Sequence, residues 1–135
     1  MLGDKVGSFS GRTAMKPLPA VQGLPVFETV DAGSVGTIYG VEATSFATFT
    51  STMRADGSWL GELPNSGVMM AADGVATFRA HGVGTPTPDG GFSFRGSAFF
   101  EAAAPSLSRL NGKAMVWEYE VDAEGNSTWD IWEWV

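Results

Sequence analysis

The sequence lacks the residues on which several common kinds of site depend. It contains no cysteine, which excludes disulfides, thiol nucleophiles and cysteine-ligated zinc. Its single histidine, His81, excludes a multi-histidine metal cluster, and we expect no metal. Basic residues are also few, because eight Lys and Arg stand against fifteen Asp and Glu. The net charge of −7 argues against nucleic acid as a partner, since phosphate binding needs a basic footprint.

Long apolar runs and nucleotide-binding motifs are missing as well. No apolar stretch reaches the roughly 18 residues of a transmembrane helix, and the first residues lack the segments of a signal peptide. We therefore expect a cytoplasmic protein with no membrane partner. The sequence has no Walker A, G-x-S-x-G or H-E-x-x-H pattern, and no helix follows its Gly82-Val83-Gly84 segment to receive a phosphate. We expect no cofactor.

The chain is rich in glycine and aromatic residues, with 18 Gly, 9 Phe, 5 Trp and 2 Tyr. This composition favours short strands joined by turns, and three Asp-Gly pairs indicate hairpins. The candidate strands cover residues 5–12, 26–30, 36–53, 58–71, 75–84, 92–103, 113–121 and 127–135. Residues 15–25 hold three prolines and predict an extended connection, and residues 105–111 predict the one short helix, capped by Ser106. The order predicts an all-β fold: one antiparallel meander barrel of about eight strands, forming a single domain over residues 1–135.

Alternation along the strands divides the side chains between two faces. In the hairpin of residues 75–103, alanines and glycines alternate with Phe78, Phe94 and Phe100, a pattern that suits the interior of a small barrel. The same rule places Val68 and Met70 on this apolar face. In the last hairpin, one face carries Met115, Trp117, Tyr119, Val121, Trp129 and Ile131, and the other carries Glu118, Glu120, Asp130, Trp132 and Trp134. At least one of the two tryptophan pairs must therefore lie outside the core.

Several polar side chains are candidates for a chemical role, and each of them also has a plainer structural interpretation. His81 lies close to Arg79 and Arg95 in the strand pattern and could act as an acid or hold an anion, although a surface or hydrogen-bonded strand histidine is the default interpretation. Arg95 and Glu101 could pair at a barrel mouth or simply solubilise the outer wall. The three carboxylates of the last hairpin could perform acid–base chemistry, although exposed carboxylates are the default in an acidic protein.

Six short segments in a fixed order resemble a family of small uncharacterised bacterial proteins. They are Ala72–Phe78, His81–Gly84, Phe94–Gly96, Leu107–Gly112, Trp117–Asp122 and Trp132–Trp134. That family is similar to the allene-oxide-cyclase-like and dirigent-like barrels, and the match covers roughly residues 36–135. The resemblance implies an eight-stranded antiparallel barrel with a lumen at one end, often oligomeric. It also implies binding of apolar, oxygenated small molecules, and in some relatives a steered cyclisation.

We therefore expect a lumen that binds a hydrophobic small molecule, with cyclase or isomerase activity as an extension. The lining residues we expect are Phe78, Phe94, Phe100, Trp117 and Tyr119. The catalytic candidates are Arg95, Glu101, His81 and Tyr39, of which Tyr39, Arg95 and Glu101 are placed at the lumen mouth. An alternative from another class is a non-catalytic homo-oligomer whose aromatic surface forms the subunit contacts. A third is a hydrolase that uses Glu118 and Asp130.

Overall fold

Eight antiparallel strands form one closed barrel in a computed structural model that describes residues 1–135. Each strand pairs with the next along the chain, and β8 closes the ring by pairing with β1. The strands are β1 (Leu2–Val21), β2 (Leu24–Ile38), β3 (Val41–Met53), β4 (Trp59–Ala71), β5 (Gly74–Pro86), β6 (Phe92–Ala102), β7 (Met115–Val121) and β8 (Asn126–Trp134). The predicted all-β meander barrel is confirmed.

Two-residue turns with positive φ at both positions separate the first three strands. Gln22 and Gly23 join β1 to β2, and Tyr39 and Gly40 join β2 to β3, with φ of 48° and 75° in the second turn. Such turns match the right-handed twist of a hairpin. The expectation of one long strand over residues 36–53 is therefore wrong, because the chain reverses at Tyr39-Gly40.

The proline-containing segment is part of β1 and not a separate connection, which corrects the expectation for residues 15–25. Residues 13–18 pair with β2, whereas β8 pairs with β1 only over residues 2–12. Pro17 and Pro19 therefore lie in the half of β1 that has a strand on one side only. A proline can occupy such an edge because no second neighbour requires its missing N–H.

Bulges in β2 and β4 interrupt the alternation of side chains, and β1 has further register shifts near both of its ends. In β2, the segment that begins at Asp31 contains one residue more than the segments of β1 and β3 that pair with it, and it ends at Ser34 on the β3 side. In β4, the step from Leu63 to Gly67 faces only the step from Ala80 to Phe78. Pro64-Asn65, where the sequence predicts either a break or a bulge, therefore forms a bulge within one continuous strand.

The face assigned to the end of β4 is the reverse of the expected one. Met69 is fully buried and pairs with Ala76, whereas Met70 is 49% exposed on the outer wall. The connection to β5 is a two-residue turn, so residues of opposite parity face each other across it. The expectation that Val68 and Met70 lie on the apolar face is wrong because it assumed that residues of the same parity face the same side before and after that turn.

A 3₁₀ helix over Pro105–Leu110 closes one end of the barrel with the buried side chains of Leu107 and Leu110. Its cap differs from the expected one, because the residue before the helix is Ala104 and no side chain caps it. Ser106 instead binds the β4–β5 turn: its Oγ donates to Asp73 Oδ1 at 2.6 Å and its N–H to Oδ2 at 2.9 Å. No helix of the protein is long and apolar enough to cross a membrane.

Glycines on the inner face make room for the large rings. A Cβ at Gly67 would lie 2.3 Å from Phe78, and one at Gly84 would lie 2.4 Å from Phe94. Real Cβ atoms do not approach that closely, so each ring occupies the space that a side chain would otherwise take. Both glycines are the ladder partners of these phenylalanines, so the glycine–phenylalanine pattern reflects packing between neighbouring strands.

Candidate functional site

The barrel interior contains a cavity of about 60 Å³ in an otherwise packed core. Its walls come from seven strands and are mostly apolar. The lining residues include Ala47, Phe49, Leu63, Phe78, Ala80, Phe94, Trp117, Tyr119 and Trp129, with the polar side chains of Asp31 and Ser45 among them. The cavity is therefore an aromatic chamber with a few polar groups, which is the usual composition of a small-molecule site.

Asp31 is the buried carboxyl group of this chamber, and the β2 bulge positions it. The bulge turns both Asp31 and Ser34 inward, although they stand three residues apart and regular alternation would place them on opposite faces. Ser34 Oγ donates a short hydrogen bond to Asp31 Oδ2, and the N–H of Gly33 donates to Oδ1 at 3.1 Å. Burial raises the pKa of Asp31, and these two hydrogen bonds oppose the shift.

Three polar atoms near the chamber are buried without a hydrogen-bond partner in the protein: Trp117 Nε1, Tyr119 OH and Ser127 Oγ. Trp117 and Tyr119 line the cavity, and Ser127 neighbours Tyr119 on the adjacent strand. Burial raises the pKa of Tyr119, hydrogen bonding by the nearby Ser127 hydroxyl opposes the shift, and the charge of Asp31 adds to it. The two hydroxyls are close but do not reach full hydrogen-bond geometry, so both count as unpaired. Buried polar groups in native proteins are almost always paired, so this cluster needs an explanation.

The aromatic pair Phe49 and Phe94 divides the lumen. Their rings meet edge to face with centroids 6.3 Å apart, and both also border a second cavity of about 20 Å³. Trp59 lines that second cavity between Phe27 and Phe92, and its Nε1 is likewise buried without a partner. Each compartment is therefore lined by a tryptophan whose indole N–H is unpaired. A ligand longer than the first compartment would have to separate Phe49 from Phe94.

Four of the five expected lining residues border the chamber: Phe78, Phe94, Trp117 and Tyr119. Phe100, the fifth, is buried behind them, with its ring 5.0 Å from that of Phe78 and 6.4 Å from that of Trp129.

The four catalytic candidates are not brought together. His81 borders the chamber although it is exposed, and the other three do not line it. Arg95, Glu101 and His81 are exposed on the outer wall, because each lies at an outward position of β5 or β6. Placing Arg95 and Glu101 at the lumen mouth was therefore wrong. Tyr39 lies at the closed end of the barrel.

A small polar network surrounds Tyr39 at that closed end. Its hydroxyl donates to Glu133 Oε2 at 2.8 Å, and Lys113 forms an ion pair with the other oxygen of the same carboxylate at 2.9 Å. The guanidinium of Arg109 lies 4.2 Å from the centre of the Tyr39 ring. Burial and the hydrogen bond to Glu133 raise the pKa of Tyr39 to about 12. These contacts join the 3₁₀ helix segment to the barrel.

The carboxylates of the last hairpin each have a partner on the outer wall. Glu118 pairs with Arg95 at 2.6 Å, and Glu120 accepts a hydrogen bond from Ser93 at 2.8 Å. Asp130 accepts from Ser8 at 2.7 Å and lies 3.7 Å from Lys5. Glu118 and Asp130 face each other across the β7–β8 ladder on the outer wall, and neither lines the chamber. Exposed ion pairs of this kind contribute little to stability.

The outer wall around β8 carries apolar side chains. Trp134 is 61% exposed, and its ladder partner Leu2 is also exposed. Trp132 is half-buried on the same face and pairs with Val116 of β7. As the alternation required, one tryptophan pair of the hairpin lies inside the barrel and the other outside.

The sequence interpretation missed Asp31, Ser34 and Ser127. Asp31 lies just beyond the short strand that we expected over residues 26–30, so its strand position was not considered. The available signal was the Asp31-Ala32-Gly33-Ser34 segment, in which a glycine between two short polar residues is typical of a bulge. The φ of 145° at Gly33 fits that interpretation.

Comparison with known proteins defines the class as a small closed β-barrel. A conserved protein of unknown function from Rhodopseudomonas palustris superposes with a TM-score of 0.81 at 13% identity, over 98% of this chain and 97% of that one. A protein with unknown function from Clostridium acetobutylicum gives 0.80 at 12% identity, over 98% of each chain. A β-barrel-like protein from Acinetobacter baumannii gives 0.75 at 12% identity, over 98% and 94%. No protein-family model matches the chain, and no curated protein matches it in sequence. At these identities the likeness concerns the fold alone.

Proposed function

We propose that the barrel binds a compact, mostly apolar molecule in its lumen, through at least one hydrogen-bond acceptor on that molecule. The observation that carries this proposal is the pair of unpartnered donors, Trp117 Nε1 and Tyr119 OH, which belong to two residues that line an aromatic cavity. An indole N–H can only donate, so its partner must be an acceptor. A ligand oxygen that accepts from both groups would remove the cost of burying them.

The size of the cavity restricts the ligand. An engineered cavity of about 150 Å³ in another protein holds benzene, and typical ligand sites measure roughly 300–1,000 Å³. At about 60 Å³, the chamber fits a molecule of a few heavy atoms. A larger metabolite requires Phe49 and Phe94 to move apart and join the two compartments.

We propose cyclase or isomerase chemistry as an extension of this binding function, on the ground of the sequence resemblance alone, since none of the structural neighbours named above is described as a cyclase. Such reactions depend chiefly on holding a substrate in one conformation within a shaped apolar cavity. Within the chamber, Asp31 and Tyr119 are the ionisable side chains that could move a proton. We propose them as candidates in place of the outward-facing Arg95, Glu101 and His81.

Intrinsic fluorescence tests the binding proposal, because Trp117 and Trp129 line the chamber and would respond to a ligand. The titration uses small ketones and aldehydes of increasing size. The informative variant is Ala80→Leu, which fills the chamber from β5, and its control is Val83→Leu, which adds bulk on the outer face of the same strand. We expect a saturable change in the wild type and in the control only, with all three proteins folded by circular dichroism. A saturable change that survives in Ala80→Leu places the ligand elsewhere.

A second candidate function is a structural homo-oligomer, and the exposed apolar side chains around β8 favour it. Trp134 and Leu2 are each more than half exposed next to the half-buried Trp132. Apolar patches of this kind mark subunit contacts. Light scattering after size exclusion, applied to the wild type and to Trp134→Ser, tests this. A monomeric wild type at high concentration removes the candidate, whereas a monomer formed only in the variant supports it.

A further inference from the structure

We infer that the chamber selects neutral oxygen groups, such as a ketone or aldehyde carbonyl, and rejects carboxylates, with Asp31 as the selecting residue. This inference rests on the proposed binding function and names the class of ligand. It follows from the charge of the chamber and from the kind of hydrogen-bonding group that its walls leave unpaired.

Asp31 is the only acidic side chain that faces the chamber. Glu62 and His81 border the cavity, but both are exposed on the outer wall. Asp31 itself is 5% exposed, and its two oxygens accept from Ser34 and from the backbone of Gly33.

No cation neutralises this carboxyl group. The four ion pairs of the protein join other carboxylates to Lys5, Lys16, Arg95 and Lys113, and every one of them lies at the surface. An ionised Asp31 therefore leaves an uncompensated negative charge inside an apolar lumen. Like charges repel strongly in such surroundings, because little water screens them.

The remaining polar groups set the second requirement. Trp117 Nε1 offers a hydrogen and no lone pair, and Tyr119 OH lies on the same wall two residues along β7. A ligand must therefore accept hydrogen bonds without carrying a negative charge. A neutral carbonyl oxygen, with two lone pairs, meets both conditions. An alkylammonium ion would suit the charge of Asp31 but would leave the donors of Trp117 and Tyr119 unpaired.

Three probes of equal heavy-atom count separate these possibilities: 2-butanone, propionate and n-butylamine. Their dissociation constants are measured by ligand-detected NMR at several pH values from about 7 to 9, because burial raises the pKa of Asp31 and the discrimination is expected where its carboxyl group is ionised. The variant is Asp31→Asn, which keeps the shape and removes the charge. The control is Asp130→Asn on the outer wall, where the carboxylate is partly exposed.

We expect the wild type and the Asp130→Asn control to bind 2-butanone at least about tenfold more tightly than propionate. Asp31→Asn should bring the two constants to within about threefold. Equal binding of ketone and propionate by the wild type, or a preference that persists in Asp31→Asn, overturns the inference while leaving lumen binding intact. Tightest binding of n-butylamine also overturns it. If none of the three probes binds the wild type or Asp31→Asn, the proposed binding function fails together with the inference.

Discussion

The two tyrosines of the chain provide a matched test of whether the chamber carries an unpaired hydroxyl for a ligand. Tyr119 OH is buried without a partner, whereas Tyr39 OH donates to Glu133 at 2.8 Å. The same substitution, Tyr to Phe, removes one hydroxyl in each case. Tyr119→Phe should therefore preserve or raise the stability of the fold, and Tyr39→Phe should lower it.

The magnitudes follow from the cost of unpaired groups. A buried polar group without a partner costs about 1–3 kcal/mol, and part of this is recovered when an apolar group of the same shape replaces it. We expect Tyr119→Phe to raise the free energy of unfolding by up to about 1 kcal/mol, which is roughly 3–5 °C in Tm for a domain of this size. Tyr39→Phe loses a hydrogen bond to a charged, partly exposed carboxylate and should cost about 0.5–1.5 kcal/mol.

Urea and thermal denaturation, followed by circular dichroism, measure both changes. Ketone affinity, measured in parallel, should fall by roughly 2- to 12-fold in Tyr119→Phe and stay unchanged in Tyr39→Phe. Opposite signs for stability and affinity in one variant would be the signature of a group kept for binding. A loss of more than about 1 kcal/mol in Tyr119→Phe would refute the reasoning, because the hydroxyl would then have a partner within the protein.

Three further predictions concern packing, charge and the outer wall. Gly84→Ala places a Cβ 2.4 Å from Phe94 and should lower the free energy of unfolding, measured in urea, by about 1–3 kcal/mol. Gly61→Ala places a Cβ 3.4 Å from the same ring and should lower it by less than about 1 kcal/mol. Equal losses in the two variants would contradict the packing account. The stability of Asp31→Asn relative to the wild type should rise as the pH rises above the ordinary aspartate range. The pKa of Asp31 is raised in the folded protein, so ionisation of the carboxyl group at higher pH destabilises the wild type and has no counterpart in the variant. A stability difference that does not change with pH would argue against an ionised Asp31. Glu118→Gln should leave both the fold and any turnover intact, since its carboxylate belongs to an exposed ion pair; a loss of turnover with the fold preserved would revive the hydrolase candidate.

The fold was predictable because each β-hairpin carries its own local signal. Asp56-Gly57 and Asp89-Gly90 lie in turns, and Asp73 directly precedes the first residue of β5. In β5 and β6, Phe78, Phe94 and Phe100 are buried as the alternation requires, and Phe99, at the opposite parity, is 43% exposed. The Tyr39-Gly40 turn escaped prediction because tyrosine is an unusual residue at positive φ, and only the glycine indicates the reversal.

The site was harder to predict from the sequence because it depends on departures from the regular alternation of strand side chains. Phe78, Phe94, Trp117 and Tyr119 follow the regular pattern, and the structure places all four on the cavity wall. Asp31 reaches the lumen beside Ser34 only because a bulge shifts the parity of β2 by one residue. Periodicity cannot reveal such a shift, since it assumes the regular spacing that the bulge breaks.

Charged residues were misplaced for a related reason. The face that Arg95 occupies was ambiguous from sequence, since a slip of one residue exchanges the two faces of a strand. In the structure the phenylalanines take the inside, because burying Phe94 and Phe100 is favourable and burying an unpaired guanidinium is costly.

The indole N–H signal of Trp117 in a ¹H–¹⁵N NMR spectrum tests the central claim most directly, because that atom is the unpartnered donor itself. The five tryptophans give separate indole signals, and Trp132 and Trp134 on the outer wall serve as internal controls. Binding in the lumen predicts that 2-butanone shifts the Trp117 signal downfield in a saturable manner while the two outer signals stay in place. A Trp117 signal that does not move at saturating ketone, or movement confined to Trp132 and Trp134, would contradict the account.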